Sequence, residues 1–93
     1  MTYVRESSVE KYFVALAVKY GWAVRKLQWV NRAGAPDRII LKHYQRLVFV
    51  ELKAPRGVLA PHQEREHERL RAMGFEVVVL WDKQMVETYF NGT

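Results

Sequence analysis

Three ionisable residues near the middle of this 93-residue chain could do chemistry together. Asp37 opens the run Asp-Arg-Ile-Ile-Leu directly after Gly34-Ala35-Pro36, and Glu51 and Lys53 close the run Leu-Val-Phe-Val-Glu-Leu-Lys. Two carboxylates meeting at a strand end suit a hard divalent cation, because Mg²⁺ takes oxygen ligands in octahedral geometry and keeps several of its waters. A cation held this way polarises a phosphodiester and lowers the pKa of an attacking water. A lysine ammonium beside it can orient that water or stabilise charge developing on phosphorus. Each residue also has a plainer reading: an Asp after Gly-x-Pro as a turn residue, and Glu-x-Lys as a solvated pair on an edge. Position favours the chemistry, since Glu51 and Lys53 follow Val-Phe-Val in the most apolar run, where unpaired charge is costly.

The elements needed to bring these residues together are legible. Val9, Phe13, Leu16, Ala17 and Tyr20 recur at helical spacing from Ser7 to Tyr20, with Gly21 as the stop. Ser7 and Glu10 have the spacing of a capping box; Glu10 equally sits on the shoulder of the apolar stripe, where it could face a cleft. Trp22 to Trp29 alternates as a strand with a wet, basic face. Pro36 then pushes the chain toward extended geometry, so that Asp37 enters a new strand from a fixed direction. Arg38–Leu41 and Leu47–Leu52 should pair antiparallel through the polar interval Lys42–Arg46, bringing Asp37 beside Glu51 and Lys53. Alternation puts Phe49, Glu51 and Lys53 on one face of that strand and Val48, Val50 and Leu52 on the other.

Downstream, Pro61 fits the first position of a helix running to about Met73 and ended by Gly74, with an inner stripe of Gln63, Glu66, Leu70 and Met73. Phe75 to Trp81 has the near-continuous apolarity of a buried central or parallel strand. Asp82 can cap a last helix carrying Val86, Tyr89 and Phe90. The order is α-β-β-β-α-β-α.

Fifteen Lys and Arg against ten Asp and Glu give a formal charge of +5, which suits a polyanionic partner. No stretch approaches the roughly 18 apolar residues of a membrane span. The N-terminus lacks a signal layout, and the absence of cysteine excludes disulfides and thiolate metal sites. The expectation is a single cytoplasmic domain over residues 1–93 with no membrane partner. Trp22, Trp29 and Trp81 read as core residues, with base stacking as the alternative. His62 and His67 are five apart rather than three or four, and no histidine is assigned a metal.

Pro36-Asp37, Glu51-Leu-Lys53-Ala-Pro-x-Gly fourteen positions downstream, and then Gln63 resemble the PD…(D/E)xK nuclease superfamily, and more narrowly the VRR-NUC (virus-type replication-repair nuclease) domains. The resemblance runs from about Glu10 to Trp81. It implies a restriction-endonuclease-like α/β core with a mixed central sheet flanked by helices. It further implies that Asp37, Glu51 and the carbonyl of Leu52 ligate Mg²⁺ or Mn²⁺, with no small-molecule cofactor. Lys53 would be the catalytic lysine, Glu10 would touch the metal through water, and Gln63 would support the site or touch DNA. Where the family commonly has aromatic or aliphatic residues three and four positions after that glutamine, this chain has Glu66 and His67. Stand-alone members resemble homodimeric junction-resolving enzymes, so branched DNA, a four-way junction above all, is the expected substrate, in the host cytoplasm if the chain is viral. Arg25, Lys26, Arg32, Arg38 and Lys42 could contact phosphates beside the site. A flap or nicking nuclease of the same fold, a non-catalytic basic nucleic-acid-binding module, and a structural subunit needing a partner chain are the competing readings.

Overall fold

The computed structural model describes residues 5–92. Helix α1 spans Glu6–Lys19, strand β1 Ala23–Lys26, β2 Arg38–Lys42, β3 Arg46–Leu52, helix α2 Pro61–Ala72, β4 Glu76–Leu80 and α3 Lys83–Asn91. The strands form one mixed sheet in the order β1-β2-β3-β4. β1 and β2 pair antiparallel, as do β2 and β3, whereas β3 and β4 run parallel, with α2 as their crossover. The α-β-β-β-α-β-α order and the mixed sheet are those expected.

The alternation of β3 divides the protein into two layers. Val48, Val50 and Leu52 face α1 and α3 and join Val9, Phe13, Ala17, Ile40, Leu80, Val86 and Phe90 in the main core, where the Phe13 and Phe90 rings lie 5.4 Å apart. Phe49 faces the other way, toward α2, in a smaller cluster with Leu70 and Val77. That second layer is thin because α2 is mostly charged. Its aromatic edges compensate: Phe49 meets Trp29 and Phe75 edge-on at 6.3 and 5.7 Å.

The glycine stops act as expected. At the end of α1 the Gly21 N–H donates to the Val18 carbonyl and Trp22 N–H to that of Ala17, and α2 ends with the same pair of bonds at Gly74 and Phe75. Asp82 caps α3 by accepting from Met85 N–H at 2.8 Å.

Several expectations change. The N-cap of α1 is Arg5, so Ser7 lies inside the first turn and forms no capping box with Glu10. β1 is shorter than Trp22–Trp29, because the chain leaves β2 after Lys26 to form the loop that returns at Asp37. The inner stripe of α2 is Gln63, Glu66, His67 and Leu70, with Met73 65 % exposed: the helix has ended at Ala72, and Met73 turns outward as its C-cap. β4 is the parallel strand foreseen, at the sheet edge rather than its centre. The tryptophans are structural. Trp22 is buried beneath Lys42 and Arg46, Trp29 Nε1 donates to Glu66 at 2.7 Å, and Trp81 Nε1 donates to the Gly57 carbonyl at 2.8 Å.

Candidate active site

The β2–β3 register that sets Arg38 against Val50 places Asp37, one residue before the strand, beside Glu51. β2 offers no further backbone acceptor there, and the Asp37 side chain supplies one: its Oδ2 accepts from Leu52 N–H at 2.8 Å. The Asp37 carbonyl accepts from Leu27 N–H at 3.1 Å. Both the backbone and the side chain of Asp37 are therefore fixed by main-chain groups of neighbouring segments.

Glu51 projects from the α2 face of β3 and is only 1 % exposed. Its Oε2 accepts from Gln63 Nε2 at 3.4 Å and lies 3.8 Å from Lys53 Nζ. Its Oε1 has no hydrogen-bond partner, although His67 Nε2 is 3.4 Å away. Burial, followed by the negative charge of Asp37, pushes the Glu51 carboxyl up to about 8, against the opposing pull of Lys53. Gln63 is braced in turn, since its Oε1 accepts from Ala60 N–H at 2.9 Å at the start of α2. The loop behind Lys53 is held by Trp81 through Gly57.

Among the described residues no three His, Asp or Glu side chains converge as a ready-made metal cage. The pair Asp37 and Glu51 nevertheless fits a divalent cation by its chemistry. Two adjoining carboxylates, one with a buried oxygen lacking any donor, carry the like-charge repulsion that a cation relieves. Asp37, Glu51, Lys53 and Gln63 are thus brought together at one end of the sheet.

The other sequence candidates are dispersed. Glu10 forms a close ion pair with Arg38 on the α1 side, at the end of β2 next to Asp37. Arg38 is accordingly engaged, with its side chain 12 % exposed. Arg25 and Lys26 remain exposed on β1, and Lys42 Nζ sits 5.1 Å over the Trp22 ring. Arg32 is bound to Glu66 through Nη2 at 2.8 Å and through Nε.

Sequence reasoning missed three residues around this site. Glu6, exposed in the first turn of α1, is the least of the charges acting on Glu51. Glu6 and Glu10 are four apart on one helix face. His67 follows Gln63 by four positions and so shares its face, a spacing hidden by comparing His67 only with His62. Glu66 is the third. It accepts from Trp29, Arg32 and Arg69, tying the loop before Asp37 to α2, and the Arg32 hydrogen bond above all holds its carboxyl down at about 2. The two polar residues on α2 where apolar ones were expected therefore serve the loop and the site respectively.

Known proteins resemble this chain over most of its length. The chain is 41 % identical over 80 residues to the "Putative nuclease p44" of Acyrthosiphon pisum secondary endosymbiont phage 1, covering 86 % of each chain. A solved VRR-NUC domain superposes with a TM-score of 0.89 at 35 % identity, over 95 % of this chain and 96 % of the other. The VRR-NUC domain profile matches residues 4–81, from before α1 to just past β4, and the chain belongs to the VRR-NUC family of nucleases.

Proposed function

We propose that this nuclease is a divalent-metal-dependent DNA endonuclease, selective for four-way junctions and working as a homodimer. The observation that carries the metal chemistry is the buried Glu51, with an oxygen lacking a donor, set beside Asp37 and Lys53 at one sheet end. Asp37 and Glu51 would hold Mg²⁺ or Mn²⁺. The Leu52 carbonyl is a further candidate, because a strand residue points its N–H and C=O to the same side, and the Leu52 N–H points to Asp37. A cation bound there supplies Lewis-acid activation of a phosphodiester and of a water.

The chain's own residues do the rest. The Leu52 amide fixes the Asp37 carboxylate through Oδ2. Lys53, 16 % exposed, keeps its ammonium beside Glu51, where it can orient a nucleophilic water or meet developing negative charge. Gln63 fixes the Glu51 carboxylate from α2. Glu10, paired with Arg38 through Oε1, would touch the metal through water. Exposed Arg25 and Lys26, supplemented by Lys42 and Arg32, would contact phosphates, making binding sequence-poor and salt-dependent. A four-way junction needs two symmetric cuts, which a two-fold dimer of one-site chains supplies.

The test is cleavage of equal concentrations of four-way, flap, nicked and linear duplexes in Mg²⁺ by the wild type, Asp37→Asn and Lys53→Ala. Asp37→Asn retains an oxygen to accept from Leu52, so both variants should fold and bind DNA without cutting it, and EDTA should silence the wild type. Cutting by both variants, or cutting in EDTA, refutes the metal site. Equal rates on linear and four-way DNA refute the junction selectivity.

A further inference from the structure

His67 is 1 % exposed, and neither ring nitrogen has a hydrogen-bond partner. A buried imidazole without partners forfeits the solvation it had in the unfolded chain, and a helix position facing an apolar sheet would be filled at lower cost by leucine. The ring lies against another buried group in the same predicament: Nε2 is 3.4 Å from Glu51 Oε1. The opposite carboxylate oxygen, Oε2, already faces Gln63 and Lys53. We infer that His67 is a positioning residue for Glu51, its Nε2–H holding Oε1 so that the carboxylate is gripped at both oxygens and its plane is fixed toward Asp37. The ring then carries its proton on Nε2, and a shift of a few tenths of an ångström closes the hydrogen bond to ordinary length. This rests on the reading of Glu51 as a metal ligand, whose hydrogen-bonded support typically sets metal affinity by 10-fold or more.

Two measurements on the full chain test it. A long-range ¹H–¹⁵N spectrum of the metal-free wild type, taken at about pH 9 so that Glu51 can only accept, should show the Nε2–H tautomer of His67. Calorimetric titration with Mn²⁺ should show affinity reduced by at least about 10-fold in His67→Leu, with most of the loss recovered in His67→Gln, whose amide can still donate. A merely structural role would lower the melting temperature of His67→Leu and leave its Mn²⁺ affinity unchanged, and that result overturns the inference. The Nδ1–H tautomer overturns it as well, and decides the matter if His67→Leu does not fold. A wild type that shows the Nε2–H tautomer but binds no Mn²⁺ refutes the metal centre while leaving His67 as the group that orients Glu51.

Discussion

Replacing Glu66 by leucine puts an apolar side chain of similar size at a buried helix position, and it should destabilise the protein. Glu66 is 6 % exposed and its carboxylate accepts from Trp29 Nε1 at 2.7 Å, a charge-assisted bond contributing about 1.5–3 kcal/mol. Arg32 and Arg69 are 53 % and 54 % exposed, so solvent screens their pairs to about 0–1 kcal/mol each. Leucine returns about 1 kcal/mol through apolar burial. The net loss is about 2 kcal/mol, or about 8–16 °C in melting temperature for a chain of this size. Urea unfolding followed by tryptophan fluorescence measures it. The pH dependence gives a second handle. With the Glu66 carboxyl held at about 2, below its ordinary value near 4.5, its stabilisation is complete above pH 4.5 and fades as pH falls toward 2. The gap between wild type and Glu66→Leu should therefore narrow between pH 5 and 2.5. A variant as stable as wild type at pH 7, or a gap that stays constant on acidification, would refute the clamp.

Other perturbations probe the rest of the structure. Without a divalent cation, Glu51, pushed up to about 8, keeps a proton that the unfolded chain releases near 4.5, so the wild type should lose stability as pH rises from 4.5 to 8. Glu51→Gln should lack that slope and gain about 4 kcal/mol on the wild type across the window, measured by denaturant titration at both ends. Gly34 has φ +96°, and an added Cβ would lie 2.8 Å from the His62 carbonyl, so Gly34→Ala should cost about 2 kcal/mol or more by the same assay. Tyr44 and Gln45 at the β2–β3 turn have φ of 66° and 62°, left-handed values that burden side-chain-bearing residues. The double change Tyr44→Asn, Gln45→Gly should stabilise by about 1 kcal/mol, and an unchanged melting temperature would count against strain there.

Much of the fold was legible because its signals are local. Pro36 and Pro61, the glycine stops and the Asp82 cap mark element boundaries through backbone chemistry that tertiary packing does not override. The alternation of β3 gave the face carrying Glu51 and, with the hairpin register, its proximity to Asp37. Long-range polar pairing was not legible. That Glu10 would turn to Arg38, and Arg32 to Glu66, depends on how helices lie across the sheet, which periodicity leaves open. The α2 stripe was misassigned for a related reason: Met73 fits the spacing, but the helix ends one residue before it. Arg32 and Arg38 looked like free cations because charge counting does not see that each has an acidic partner within the same chain.

The Asp37–Leu52 hydrogen bond makes the Leu52 amide an internal gauge of the site. Its neighbour Lys53 is shielded by an ordinary ladder bond to the Leu80 carbonyl, whereas the Leu52 proton is guarded by a carboxylate alone. Its exchange with deuterated water therefore reports how firmly Asp37 is seated, and the ratio of the two neighbouring exchange rates separates loosening of the carboxylate from fraying of the sheet. A ligand that tightens Asp37 would slow exchange at Leu52 and leave Lys53 unchanged, so occupancy of this end of the sheet could be followed at one backbone atom without a reaction being run.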